Sequence, residues 1–242
     1  MHEIMAIASS VWRRYLRLGV VYFLVISALI IIAAMNLYGT LMMGEERALM
    51  VDMSMFMTTL AGFLAALSVA FDMPREIREG VASTLLVKPL GRSQYLAGKL
   101  VGTAAVAIMV AAVVSVGFFI IHKLCFGNLP VEVVQSHALI LASMIPVTAV
   151  ALLFASFLNE TMAALLTLVV VWLGFSTGIA GKVPLLYGGI LPDFNFFNVR
   201  AEAAYGLVVG WPYVLTALAW GVVYAIAVQA LAAVIFEFRD VK

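Results

Sequence analysis

The side chains best suited to metal binding or nucleophilic catalysis are few and widely spaced. His122 and Cys125 lie three residues apart, and His137 follows further along the chain. Histidine and cysteine ligate zinc and copper, so a metal site is one interpretation of these residues. The interpretation we favour is that each is a single polar residue at the end of an apolar segment. The sequence contains no His-Glu-x-x-His zinc helix and no Gly-x-Ser-x-Gly nucleophile elbow, so hydrolase chemistry is not predicted.

The segment from Ser93 to Lys99 matches only part of the phosphate-binding loop motif of nucleotide-binding proteins. The segment ends in Gly98 and Lys99, as a phosphate-binding loop does. The first glycine of that loop is missing at position 93, and Leu100 replaces the hydroxyl residue that would bind magnesium. We therefore predict that the chain is not an enzyme, holds no cofactor and does not hydrolyse ATP by itself.

Methionine is concentrated in segment 35–57, at positions 35, 42, 43, 50, 53, 55 and 57. Thioether sulfur binds Cu(I), and Met50, Met53 and Met57 fall on one helix face, so copper handling is one hypothesis. Flexible methionine side chains also fill irregular gaps in packed interiors. Packing is the interpretation we prefer.

The composition of the chain indicates a lipid environment. Of its 242 residues, 65% are apolar and 11% are charged, and the mean hydropathy is +1.12. Soluble domains carry about 25% charged residues, so a soluble globular domain is excluded, and so is intrinsic disorder. The formal net charge of +1 gives no electrostatic reason to expect a nucleic-acid partner.

Uncharged stretches mark the candidate transmembrane helices, because charges are costly in hydrocarbon. The shortest of the six stretches has 19 residues, and at about 1.5 Å per residue it extends about 28 Å. The sequence thus predicts one all-α polytopic membrane domain over residues 1–242. Pairs of small residues such as Gly98 and Gly102 permit close helix contact. The six helices are expected at 18–43, 52–72, 95–122, 136–158, 161–181 and 213–236.

The distribution of Lys and Arg predicts the orientation in a plasma (inner) membrane. If the N-terminus is cytoplasmic, the basic residues are concentrated in the cytoplasmic segments, as the positive-inside rule requires. Both termini are therefore expected to be cytoplasmic, with an uncleaved first helix rather than a secretory signal. The cytoplasmic residues are then Arg13, Arg14, Arg17, Arg75, Arg78, Lys88, Arg92, Lys99, Arg239 and Lys242, and the outer ones are Arg47, Lys123, Lys182 and Arg200.

No predicted span carries a charged residue at mid-depth, where ion-coupled transporters place ionisable groups. Energy for uphill transport would then come from outside the chain. The hydroxyl side chains expected to line a transport pathway are Thr58, Thr59, Ser176 and Thr177.

The outer segment between spans five and six has two interpretations. Residues 183–192 are apolar but too few to cross the bilayer, which suits a re-entrant element. Alternatively, the segment is a loop on the outer leaflet, with Phe194, Phe196 and Phe197 at head-group depth.

The polar segment between spans two and three is predicted to form an amphipathic helix over residues 74–88. Pro74 suits the first turn of a helix, and Pro89 stops it. Ile77, Val81 and Leu85 form an apolar stripe, while Arg75, Glu76, Arg78 and Glu79 are expected to face water. Such a helix is also consistent with a simple interfacial anchor.

Several different short motifs follow one another in this segment and directly after it. They are Arg75-Glu76, Glu79-Gly80, Leu85-Leu86, Lys88-Pro89-Leu90-Gly91-Arg92, Tyr95 and Gly98-Lys99. Together they resemble the cytoplasmic loop of the permease subunits of ABC-2-type ABC transporters. The end Phe236-Glu-Phe-Arg239-Asp240 is similar to that family's C-terminus, and the stretch from Leu191 to Asn198 is similar to the nitrous-oxide-reductase maturation permease group. Val81 departs from the family, which often has Thr at that position.

The resemblance implies a permease subunit, mostly for export, whose partners are a separate ABC ATPase, a second permease copy and membrane lipid. ATP and Mg would be bound by the ATPase, and helix 74–88 would be the coupling helix in a cleft of that partner. The interface expected from the motifs consists of Arg75, Glu76, Glu79, Gly80, Leu85, Leu86, Lys88, Pro89 and Arg92. An energy-independent channel or secondary carrier stays open as an alternative, as does a membrane assembly or anchor subunit without a transport role.

Overall fold

The computed structural model of the chain describes residues 2–17, 19–39, 46–80, 91–176 and 192–238. Within those residues the chain is helical and forms no β-strand. The helices are α1 (His2–Leu16), α2 (Gly19–Gly39), α3 (Glu46–Arg78), α4 (Arg92–Phe126), α5 (Val131–Phe157), α6 (Glu160–Phe175), a 3-10 turn (Phe194–Phe197), α7 (Arg200–Ala204) and α8 (Trp211–Glu237).

Four of the described helices, α3, α4, α5 and α8, are long and apolar enough to cross a membrane. They contain the spans predicted at 52–72, 95–122 and 213–236, and α5 covers the span predicted at 136–158 except for its last residue. Helices α1 and α2 are bent by 59° relative to each other and count as a fifth span if the bent pair is taken together. The short apolar helix α6 has 16 residues and covers the first part of the span predicted at 161–181. The described residues thus include four or five apolar helical segments that could cross a membrane, and the count of six spans stays a prediction.

Helix α5 lies at the centre of the bundle and packs against α3, α4, α6 and α8. Its apolar side chains are buried on most sides, whereas α8 is largely exposed and presents residues such as Leu215, Val223 and Ile226 outwards. A helix that is apolar all round fits both positions, because either protein or lipid tails can cover it.

Helix α3 connects the two ends of the bundle. At one end, Arg78 at the last position of α3 pairs with Glu160 at the first position of α6. At the other end, Asp52 of α3 pairs with Arg200 of α7. We call the end of the bundle that contains Arg78 the Glu76 end, and the opposite end, which contains Asp52, the Arg200 end. At about 1.5 Å per residue, Asp52 and Glu76 lie about 36 Å apart along α3, which exceeds the hydrocarbon thickness of about 30 Å.

Helix α1 packs against α4 at the small-residue pair Gly98 and Gly102. A Cβ atom at Gly98 would lie 2.7 Å from the Cβ of Ile7, and one at Gly102 would lie 3.0 Å from the backbone carbonyl oxygen of Ala8. These distances leave no room for a side chain, so the expected close contact at this pair is confirmed.

The predicted boundary of a separate helix at Pro74 is wrong. Pro74 lies inside α3, which continues to Arg78 and ends before Gly80, whose φ of 74° is left-handed. Glu76 and Arg78, which follow Asp72, pair with residues of neighbouring helices, so this part of the chain is packed in the bundle as a continuation of α3. Residues 81–90, which hold most of the predicted coupling helix, lie outside the described residues.

The aromatic stretch before α7 is buried in the bundle. Phe194 and Phe197 are 0% and 1% exposed, and Phe194 stacks on Phe175 with ring centroids 5.3 Å apart. A Cβ at Gly174 would lie 2.5 Å from the Phe194 ring, and one at Gly221 would lie 2.9 Å from the Phe197 ring. These two rings are therefore packed inside the protein, whereas Phe196 between them is 41% exposed. Of segment 183–192, only residue 192 belongs to the described chain.

Candidate functional site

The Glu76 carboxylate is the centre of a polar cluster at its end of the bundle. Its Oε1 accepts hydrogen bonds from Lys99 Nζ at 2.6 Å and from Arg14 Nη1 at 2.7 Å. Its Oε2 accepts a hydrogen bond from the Tyr95 hydroxyl at 2.8 Å. One carboxylate thereby joins α3 to both α1 and α4.

A second carboxylate one turn earlier extends this cluster. Asp72 accepts a hydrogen bond from Arg14 Nη2 at 3.3 Å and another from the Tyr15 hydroxyl. We call the six residues Arg14, Tyr15, Asp72, Glu76, Tyr95 and Lys99 the Glu76 cluster. Asp72 and Glu76 lie four residues apart on α3, so their side chains project from the same face of the helix.

Burial determines what the Glu76 cluster can do. Glu76 is 8% exposed, Lys99 is 6% exposed and Tyr95 is fully buried. Removing charges from water is costly, and the cost is offset here because each oxygen of Glu76 accepts a bond from a donor on a neighbouring helix. Donors of the chain itself bind both oxygens of the Glu76 carboxylate, and the side chain is too buried to contact a protein partner.

Helix α8 is attached to the same end through Arg92. The Arg92 Nη1 donates to the carbonyl oxygens of Phe236 and Glu237 at 3.1 and 2.7 Å, where a cation complements the C-terminal end of the helix dipole. The Phe236 ring stacks on Tyr95 with centroids 6.2 Å apart. The Glu76 end therefore fastens together the helix ends of α3, α4 and α8.

The exposed charges at the end of α3 are Arg75, Arg78 and Glu79, of which Arg78 pairs with Glu160 of α6. Arg75 Nε donates to Glu79 Oε1 at 2.7 Å, and the two side chains are 59% and 48% exposed. This hydrogen bond lowers the pKa of the Glu79 carboxyl, so the group is negatively charged at neutral pH. The pair presents both charge signs to whatever lies beyond the end of α3.

The residues expected at an ATPase interface divide into four groups. Arg75 and Glu79 are exposed, as expected. The expectation that Glu76 faces water is wrong, because Arg14, Tyr95 and Lys99 surround its carboxylate. Arg92 binds the end of α8, and Gly80 forms the left-handed turn after α3. Leu85, Leu86, Lys88 and Pro89 lie outside the described residues.

A cavity of about 390 Å³ lies between α3, α5 and α6 near the Arg200 end. We call it the Arg200 cavity. Its floor contains Met55, Ser143 and Met144, which are at most 1% exposed. Its rim contains Phe56 and Trp172, which are 42% and 60% exposed. The cavity is therefore closed at the base and open at the side of the bundle.

The polar end of the Arg200 cavity is an ion pair. Arg200 donates from Nε and Nη2 to the two oxygens of Asp52, at 2.9 and 2.7 Å. Its guanidinium carbon lies 5.5 Å from the centroid of the Phe56 ring, within range of a cation–π contact. Asn198 also lines this end. Arg200 and Asp52 neutralise each other, so this end is polar without a net charge from the pair.

Of the hydroxyl residues expected to line a pathway, Thr59 lines the cavity. Thr58 does not: it is fully buried, and its Oγ1 has no hydrogen-bond partner among the described residues. Consecutive residues point about 100° apart around a helix, which explains the difference. Ser176 follows the last residue of α6, and its N–H donates to the Leu173 carbonyl. Thr177 lies outside the described residues.

His122 and His137 each place a ring nitrogen beside a backbone carbonyl. Nδ1 of His122 lies 2.9 Å from the Asn128 oxygen, and Nδ1 of His137 lies 2.9 Å from the Val133 oxygen. Both rings pack on Phe118, with His137 stacked at 5.1 Å. Across the described part of the chain, no group of three or more His, Cys, Asp or Glu side chains is placed to hold a metal ion.

Sequence reasoning missed the partners of Glu76 on α1 and α4, as well as the pair of Asp52 with Arg200. One signal was present: Asp72 and Glu76 lie four residues apart on α3, as do Tyr95 and Lys99 on α4, so each helix carries one polar pair on one face. Comparison of the chain with models of known protein families and with curated proteins finds no match.

Proposed function

We propose that the chain is the membrane permease subunit of an ATP-driven exporter, powered by a separate ATP-binding-cassette ATPase. The observation that supports the proposal is the position of the buried Glu76 cluster in the structure. There, a buried charge cluster fixes α3 to its neighbours directly before the segment whose motifs resemble a coupling loop. The resemblance of that segment to ABC-2-type permeases supplies the identity of the partner.

The geometry supports a mechanical role for α3. The helix runs without a break from the Arg200 cavity to Gly80, where segment 81–90 begins. A force applied to that segment by a docked ATPase would act on the Glu76 end, and a packed bundle responds to such forces by rigid-body shifts rather than by gradual deformation. Displacement of α3 would change the wall of the cavity, whose α3 residues lie about 20–32 Å along the helix from Glu76.

Within this proposal, the residues first expected at the ATPase interface acquire different roles. Arg75 and Glu79 contact the partner together with Leu85, Leu86, Lys88 and Pro89, while Glu76 and Arg92 position the segment from within. A second permease copy completes the pathway against the exposed apolar helices. The six-span arrangement, with both termini cytoplasmic in the plasma (inner) membrane, belongs to the same proposal, and ATP and Mg stay with the ATPase.

The experiment is purification of the tagged chain from its native membrane in a mild detergent, with the retained proteins identified by mass spectrometry. We expect an ATP-binding-cassette ATPase to co-purify, and ATP turnover to be lost when the chain is separated from it. Robust turnover by the isolated chain would contradict the proposal. Transport by reconstituted chain without any ATPase would indicate a channel or secondary carrier, and a complex with the ATPase that moves nothing would indicate an assembly subunit.

A further inference from the structure

We propose that the Arg200 cavity binds a single-chain amphiphile whose head group carries no net charge. The apolar chain would occupy the space between α3, α5 and α6, and the head group would lie beside Arg200 and Asn198. This site rests on the cavity alone, so it stands or falls independently of the proposed ATPase partner.

The lining of the cavity favours an apolar occupant. Its floor is built from Met55 and Met144, and its wall includes Phe63 and Phe175. Methionine and aromatic side chains adapt their surfaces to flexible hydrocarbon. A volume of about 390 Å³ lies near the lower limit for small-molecule sites, which leaves space for one acyl chain rather than two.

The hydroxyl groups in the cavity are already occupied by the protein. Thr59 Oγ1 donates to the Met55 carbonyl at 2.8 Å, and Ser143 Oγ donates to the Ile140 carbonyl at 2.7 Å. Neither donor is left for a polar ligand, so a ligand rich in hydrogen-bond acceptors would lose its hydration in the cavity without compensation. An alkyl chain incurs no such loss.

The polar groups at one end define the head group. Both oxygens of Asp52 and two donors of Arg200 are committed to each other, but the side chains are 35% and 34% exposed, so head-group dipoles can reach them. The pair adds no net charge, and Glu202 and Asp193 nearby in the sequence are acidic. A zwitterionic or neutral head group fits this environment better than a carboxylate or phosphate monoester.

The open side of the cavity indicates the route of entry. Leu60, Leu168 and Trp172 of the rim are 38%, 48% and 60% exposed on apolar helix surfaces. Such surfaces face hydrocarbon in a membrane, so an amphiphile already dissolved in the bilayer can enter sideways without passing through water. The buried floor, in contrast, is out of reach of lipid that merely covers the bundle.

Photo-labelling in membrane vesicles tests the proposal through that difference between floor and surface. The probe is a lysophosphatidylcholine with a diazirine near the end of its acyl chain, and the labelled residues are mapped by mass spectrometry. We expect label on Met55, Ser143 or Met144, saturable and removed by unlabelled lysophosphatidylcholine. Label confined to exposed positions such as Val169 would overturn the site.

A matched pair of substitutions on α6 tests the position of the site. Val171→Trp places an indole in the cavity, whereas Val169→Trp makes the same change on the exposed face two residues earlier. We expect Val171→Trp to abolish floor labelling and Val169→Trp to leave it unchanged. Thr59→Trp fills the cavity from α3 and serves the same purpose if Val171→Trp fails to fold. Floor labelling that survives in a folded cavity-filled variant would contradict the proposal.

Two further probes test the chemistry of the occupant. Oleate, a single-chain anion, should compete weakly with the lysophosphatidylcholine, and competition of equal strength would overturn the head-group assignment. A two-chain phosphatidylcholine with the same diazirine should label the exposed helix faces but not the floor. Equal floor labelling by that probe would show that ordinary bilayer lipid fills the cavity and would overturn the single-chain assignment.

Discussion

The two ends of α3 use the same ionic chemistry in different surroundings. At the Glu76 end, a buried carboxylate accepts hydrogen bonds from two cations and a tyrosine on two neighbouring helices. At the Arg200 end, the carboxylate of Asp52 meets one arginine, both side chains are about one-third exposed, and the pair borders a cavity.

The difference indicates a division of roles along one helix. Buried charges whose partners lie on neighbouring helices hold those helices together. Removing one of these charges should lower the free energy of unfolding strongly. Charges that keep contact with solvent contribute little to stability but remain accessible to ligands. We therefore expect substitutions at the Glu76 end to change the free energy of unfolding, and substitutions at the Arg200 end to change binding.

The largest expected effect on stability is that of Glu76→Gln. It leaves Lys99 and Arg14 beside a neutral amide, and removing one partner of a buried ion pair costs about 3–5 kcal/mol. Unfolding in a detergent or nanodisc should report this loss. The double variant Glu76→Gln/Lys99→Met should recover part of it, because no buried charge is then left without a counter-charge at that position. Wild-type stability of the single variant would contradict the central role of Glu76.

A smaller loss in the free energy of unfolding is expected for Gly102→Val. This variant tests how tightly α1 packs against α4 at the Glu76 end. A Cβ at Gly102 meets the backbone of Ala8 at 3.0 Å, so α1 must move away from α4. Overpacking of this kind costs about 1–3 kcal/mol. Gly19→Ala is the control, since a Cβ at Gly19 meets nothing within 4 Å. Equal unfolding curves for the two variants would show that the contact between α1 and α4 is loose.

A still smaller loss of stability is expected for Arg200→Lys at the other end of α3. Lysine cannot reproduce the two parallel hydrogen bonds of the guanidinium to Asp52, but partly exposed pairs contribute about 1 kcal/mol or less. Arg13→Lys, at an exposed position of α1, provides the baseline. The comparison between the two ends would fail if Arg200→Lys lowered the free energy of unfolding as much as Glu76→Gln.

Sequence reasoning located the apolar elements well because lipid imposes length and hydrophobicity directly on the chain. The spans around 95–122 and 213–236 each coincide with one long described helix. It could not determine the status of the first and fifth spans. Those depend on the bend between α1 and α2 and on the short length of α6, which are set by packing rather than by composition.

The roles of neighbouring residues were harder to predict for a physical reason. Glu76 and Glu79 have the same side chain three positions apart, and an apolar stripe through Ile77 places both towards water. Only the positions of Arg14 and Lys99, which are distant in sequence, make one of them buried. The Arg200 cavity could not be predicted from the sequence either, because residues of three helices that are distant in sequence form its walls.

The most direct test of coupling through the Glu76 end is the variant Glu79→Lys. It reverses the exposed charge after α3 while leaving the Glu76 cluster intact, so folding and insertion should be unchanged. We expect the variant to lose its co-purifying ATPase, since juxtaposed like charges at an interface can cost several kcal/mol. Glu202→Lys, which reverses a charge that is also exposed but lies at the Arg200 end, should retain the partner. An ATPase retained to the same extent by both variants would contradict docking at the exposed Arg75–Glu79 surface.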